Sequence, residues 1–101
     1  MKLTIRDEAD TEALEAALYY YDVRPKLGVQ FRERLKAAYE SIAFNPWQFP
    51  KVAHHLVGGD VRIAMLKQFP YVVVFEIFNE EIVVLAVDHS HRNDPWIERV
   101  E

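Results

Sequence analysis

At 101 residues the chain is a single domain, and half of those residues are hydrophobic, which suffices for a core and excludes a disordered chain. It has no cysteine, so disulfides and thiolate metal sites are ruled out and a reducing compartment fits. A net charge of −4 works against strong non-specific binding to nucleic acid, and the longest apolar run, 82–87, is far too short to span a bilayer.

In chain order, residues 2–6 alternate polar and apolar side chains, the pattern of a half-buried first strand. No apolar leader core follows Met1, so a cytoplasmic protein is expected. Asp10 is a suitable N-cap, with Glu12 in the first turn, and Leu14, Ala17, Leu18 and Tyr21 recur at helical spacing. That spacing predicts a helix over 11–22 whose buried face is this stripe. Asp22-Val23-Arg24-Pro25 ends it, and Pro25 suits the first turn of the next helix. Leu27, Phe31, Leu35, Ala38 and Ile42 mark the buried face of that second helix, which ends before Asn45-Pro46.

Residues 46–60 read as a loop punctuated by Pro46, Pro50, Gly58 and Gly59, with Trp47 and Phe49 expected to tuck it onto the core. Three strand-like runs follow at 61–66, 71–78 and 82–89, rich in β-branched and aromatic residues. Phe69-Pro70 and Asn79-Glu80-Glu81 are short enough for antiparallel connections. The result is an α+β domain over 1–101: an N-terminal strand, a helical hairpin, then a three-stranded antiparallel meander. The strands are almost continuously apolar, so a second layer beyond the helices is expected on the sheet.

Charge is unevenly distributed. Asp7, Glu8, Asp10, Glu12, Glu15 and Asp22 form an acidic block, and Arg24, Lys26, Arg32, Arg34 and Lys36 follow, opposed only by Glu33. Two solvated helix faces explain this, and so does a basic helical face that meets an acidic partner.

Several of these segments together carry a resemblance. They are the acidic first helix running into Tyr20-Tyr21, then Leu27-Gly28-Val29-Gln30-Phe31, Ile42 through Pro46, and Phe49-Pro50. Val61-Arg62, Phe69-Pro70-Tyr71, Val84-Leu85-Ala86-Val87, His89, Arg92 and Pro95-Trp96 complete the set. In this order and spacing the chain resembles the RelE/ParE superfamily of bacterial toxins from type II toxin–antitoxin systems, and the fold read above is RelE/ParE-like. The resemblance implies growth arrest, a role in plasmid stabilisation, and neutralisation by a cognate antitoxin that wraps an extended segment around the toxin. RelE-type members cut messenger RNA in the ribosomal A site, whereas ParE-type members inhibit DNA gyrase without known catalysis. Fold alone does not choose between these.

RNA cleavage through the 2′-hydroxyl needs a proton acceptor, positive charge at the phosphate and a proton for the leaving oxygen. The candidates are Arg62, Lys67 and Arg92 for charge, His89 as acid or base, and Tyr71 or His91 in support. Arg62 and Tyr71 also have plainer readings: Arg62 bridging to Glu76 or Asp88 across the sheet, and Tyr71 packed in the core. His54-His55 lacks a third ligand at useful spacing, so neither a metal nor a cofactor is expected. Asp88 and Asp94 add negative charge beside the histidines, and basic side chains are few. A contact toxin acting on gyrase is therefore the first reading. A ribosome-dependent endoribonuclease is the second, and a non-toxic binding module of the same fold the third. For antitoxin binding the expected contacts are Arg24, Lys26, Arg32 and Arg34, flanking an apolar groove beside the hairpin.

Overall fold

The computed structural model describes residues 1–52, 58–90 and 95–100. His54, His55, His91, Arg92 and Asp94 therefore lie outside the described residues. The elements are β1 (Leu3–Ile5), α1 (Asp7–Val23), α2 (Pro25–Phe44), a 3-10 turn at Pro46–Gln48, β2 (Asp60–Met65), β3 (Tyr71–Phe78), β4 (Glu81–His89) and a 3-10 segment at Pro95–Arg99. The strands form one sheet in the order β1-β4-β3-β2. β2, β3 and β4 make the antiparallel meander, and β1 adds at the edge, parallel to the first half of β4. The α+β expectation holds, with both helices on one face.

Two helix details depart from the sequence reading. α1 starts at Asp7 rather than after Asp10; its N-cap is Arg6, which makes no side-chain cap. Asp7, Glu8 and Asp10 instead place negative charge in the first turn, where the helix dipole favours it. The larger departure concerns which stripe of α1 is buried. Ala9, Ala13, Ala16 and Ala17 face the core, whereas Leu14, Leu18 and Tyr21 are 60%, 54% and 51% exposed. Small side chains let α1 lie close to both the sheet and α2. At Gly28 the helices approach so closely that an added Cβ would sit 2.7 Å from the Tyr21 Cβ and 2.9 Å from its Cα.

α2 behaves as expected. Phe31 and Ile42 are fully buried, and Leu35 and Ala38 pack against the same core. On β3, Val73 and Phe75 point into this helix-side core, joined by Ile82, Val84 and Val87 from β4. Phe49 tucks inward as predicted, but Trp47 does not; it is 56% exposed. The second face of the sheet carries its own core of Val61, Val74, Leu85 and Ala86 under Trp96, so the C-terminal segment supplies the expected second layer.

The β3–β4 turn uses Asn79 and Glu80, both left-handed at φ 51° and 62°. Such two-residue turns match the twist of the flanking strands but favour glycine. Glu80→Gly is expected to stabilise the domain by about 0.5–1 kcal/mol, because the exposed glutamate loses little and the backbone is relieved. Thermal unfolding checks this, with a rise of a few degrees expected. An unchanged or lower midpoint would mean the left-handed pair is not strained.

Candidate functional site

The register of β4 decides what faces the helices. Val74 pairs with Ala86, but Phe75 pairs with Val84, so Leu85 is an extra residue bulged out of the ladder. Before the bulge Ile82 and Val84 face the helices. After it Val87 does, while the consecutive pair Leu85 and Ala86 both enter the second core. The bulge therefore resets the alternation. It delivers His89 to the helix side, opposite Tyr71 in register, with ring centroids 5.4 Å apart. The buried Asp88 falls between them in sequence, and its carboxylate accepts the His89 backbone N–H at 2.9 Å.

β1 ends at Ile5, opposite Val84, so the outer edge of β4 beyond the bulge has no strand neighbour. Two side chains take its place. Arg99 donates Nη1 to the Leu85 carbonyl at 2.9 Å, and Glu12 accepts the Val87 N–H at 3.2 Å. Arg99 and Glu12 also pair with each other at 3.0 Å. This ion pair offers the donor and acceptor that a further strand would offer, and it fixes the middle of α1 to β4.

Between α1 and this end of the sheet lies a cleft of about 340 Å³. Glu12, Glu15, Ala16 and Tyr19 line it from α1 at positions i, i+3, i+4 and i+7, with Tyr20 beside them, and Tyr71, Val87 and His89 close it from the sheet. Ala16 leaves the space open. Tyr20 leads from the cleft into the core, 4.7 Å from the Phe69 ring and 5.5 Å from Phe31. Burial, then the phenols of Tyr71 and Tyr19, push the Tyr20 hydroxyl above its ordinary pKa. The cleft is thus aromatic and acidic, and no described lysine or arginine lines it. Its α1 half escaped the sequence reading. Glu12, Glu15, Ala16 and Tyr19 do share one helical stripe, and that spacing was the available signal.

Of the catalytic candidates, His89 and Tyr71 come together and Arg62 does not join them. Arg62 pairs with Phe75, four residues along β3 from Tyr71, or about 13 Å at the usual strand rise. Its guanidinium is also occupied. Nε donates to Asp60 at 2.9 Å, and Nη1 donates to the carbonyls of Phe49 at 2.9 Å and Trp47 at 3.2 Å. The partner is Asp60, not the Glu76 or Asp88 expected from the sequence, and the effect is to pin the Pro46–Gln48 turn to β2. Lys67 lies with Arg34 and Met65 at a separate cleft between α2 and β2. Among the described residues no three His, Cys, Asp or Glu side chains gather as a metal site, and no helix is long and apolar enough to cross a membrane.

A second candidate surface is the outer face of the hairpin. The exposed Leu14, Leu18 and Tyr21 of α1 meet Val29 of α2, itself 52% exposed, over a groove floored by Ala17 and Gly28. Arg32 lines this groove. Arg24 and Lys26 are exposed at the hairpin bend, where α1 passes into α2. Arg34 points elsewhere: its Nε donates to the Gln68 side chain at 3.2 Å, and Gln68, held at φ 76°, in turn donates to Gln30 at 2.8 Å. Of the four basic residues expected to contact an antitoxin, Arg32 lines the groove, Arg24 and Lys26 are exposed at the bend, and Arg34 ties α2 to the β2–β3 connection.

The family model for the ParE toxin of the type II toxin-antitoxin system parDE matches residues 3–94 of this chain. No curated protein sequence matches. Among solved structures, a chain of the chromosomal ParDE TA system from P. aeruginosa superposes with a TM-score of 0.74. That match has 19% sequence identity and covers 88% of this chain and 95% of the other.

Proposed function

This chain belongs to the ParE toxin family of type II toxin–antitoxin systems, and we propose that it arrests growth by protein contact with DNA gyrase rather than by cutting RNA. The observation that carries this reading is the separation of Arg62 from the paired His89 and Tyr71. Arg62 is held by Asp60 and two carbonyls at a distance from His89. The cleft that does contain His89 and Tyr71 is lined by Glu12, paired with Arg99, and by the exposed Glu15, which repels a phosphodiester. No described lysine or arginine lines it. A phosphate-cleaving centre needs positive charge there. A contact inhibitor needs only a shaped surface, and this domain exposes two.

A cognate antitoxin is the partner that such a toxin requires. Its seat in this reading is the hairpin groove, where apolar side chains cover Leu14, Leu18, Tyr21 and Val29, and acidic residues meet Arg32, Arg24 and Lys26. Complementary charge would speed the encounter and set register, while the buried apolar contacts hold the complex.

Induced expression tests the mechanism, with wild type and His89→Gln scored for DNA breaks and for loss of messenger RNA. Glutamine keeps hydrogen-bonding capacity without titrating near neutrality. A general acid or base contributes about 10²–10⁴-fold in rate, so an essential His89 would show at once. The expected result is arrest with DNA breaks in both proteins. Arrest that disappears in a folded His89→Gln protein, with messenger RNA cut by wild type, would transfer the protein to the endoribonuclease reading.

A further inference from the structure

The cleft between α1 and the end of the sheet has a chemistry that the gyrase and antitoxin readings do not use. Aromatic rings surround it: Tyr19 and Tyr20 stand edge to face at 5.2 Å, Tyr20 and Tyr71 at 6.1 Å, and Tyr71 and His89 at 5.4 Å. Glu12 is held in place by Arg99 and the Val87 N–H, so its charge is largely answered within the fold. Glu15, one turn along the same stripe, is exposed at the rim with Tyr19, which is 62% exposed. An electron-rich ring and a carboxylate one helical turn apart, over a cavity of about 340 Å³, form a receptor for a cation. A flat cation suits it best. A guanidinium can lie on the Tyr19 ring and still present a fork of N–H groups to Glu15, which a compact ammonium cannot do as well.

We infer that this cleft receives the guanidinium of an arginine presented by a protein partner. Nucleic acid is disfavoured as the occupant, because its phosphates would meet the exposed Glu15 carboxylate and no described lysine or arginine lines the cleft. The inference stands apart from the gyrase reading, since it concerns binding to the domain itself and is read without toxicity.

The test is NMR titration of the wild-type protein with N-acetyl-arginine methylamide, following the rings of Tyr19, Tyr20, Tyr71 and His89. The citrulline analogue, the lysine analogue and uridine monophosphate serve as comparisons. Saturable shifts confined to the cleft are expected with the arginine amide, with half-saturation on the order of 10 mM, as suits one side chain without its chain. The lysine amide should bind several-fold more weakly and the citrulline amide not measurably. Glu15→Gln and Tyr19→Ala replace exposed side chains, so the fold survives; each should weaken the response at least about threefold, and together they should abolish it. An absent or unsaturable response overturns the proposal, as does citrulline or lysine matching arginine. So do shifts that survive both substitutions, or uridine monophosphate binding in the same cleft.

Discussion

Phe31→Ala should remove about 3–5 kcal/mol of stability, the range for deleting a fully buried aromatic ring. Phe31 is 0% exposed and stands at the centre of the aromatic cluster, 5.5 Å from Tyr20, 5.2 Å from Phe69 and 5.3 Å from Tyr71 by ring centroid. It joins three parts of the chain: the end of α1, the first turns of α2 and the β2–β3 connection. The surrounding rings are anchored on α1, on the β2–β3 connection and on β3, so they cannot readily collapse into the space left behind. A domain of this size has only about 5–15 kcal/mol in total, so the variant should sit near the edge of folding. Urea unfolding measures it, and a loss below about 1 kcal/mol would show that the cluster is loosely packed and that another layer dominates the core.

The second large effect is on binding. Leu14→Ala together with Leu18→Ala should weaken the antitoxin complex by about 30-fold or more, which is the scale of a hot spot worth 2 kcal/mol. Both leucines are more than half exposed, and alanine is at least as good a helix former, so stability should change by no more than about 0.5 kcal/mol. That separation makes the pair informative, because lost affinity cannot be ascribed to a damaged fold. Calorimetric titration with the antitoxin reads the constant, and thermal unfolding of the free variant checks the fold. An unchanged dissociation constant would remove the hairpin groove as the antitoxin's seat.

These same leucines show where the sequence could be read and where it could not. The strands were legible because β-branched and aromatic residues run in blocks bounded by Phe69-Pro70 and Asn79-Glu80, and the structure places β3 at Tyr71–Phe78 as the sequence predicts. In α1 two apolar stripes compete, one of alanines and one of leucines with Tyr21. Hydrophobicity selects the leucines, but close approach to the sheet and to α2 at Gly28 selects the alanines, so the leucines are left outside. The sequence signal was present and its sense was inverted by a geometric demand invisible in one dimension.

The β4 bulge was hidden for a different reason. Val84-Leu85-Ala86-Val87 is apolar on every residue, so it contains no alternation whose break could be noticed, and no glycine or proline marks the extra residue. With the bulge unseen, the side of the sheet facing His89 could not be assigned. Nor could the Glu12–Arg99 pair be anticipated, since it joins side chains 87 residues apart to serve a strand edge left open by a three-residue β1. Arg62 qualifies as a phosphate ligand by charge and type alone. Its neighbours Asp60 and the Phe49 carbonyl, which consume that charge, become apparent only once the loop folds back on β2.

The central claim is that this toxin acts on gyrase by contact and leaves RNA intact. Its most direct measurement uses purified protein with purified DNA gyrase and relaxed plasmid, alongside programmed ribosomes carrying labelled messenger RNA. The expected result is loss of supercoiling with accumulation of cleaved DNA, at toxin concentrations that leave the ribosome-bound message whole, and release of gyrase when antitoxin is added. Undisturbed supercoiling together with cut messenger RNA would contradict it.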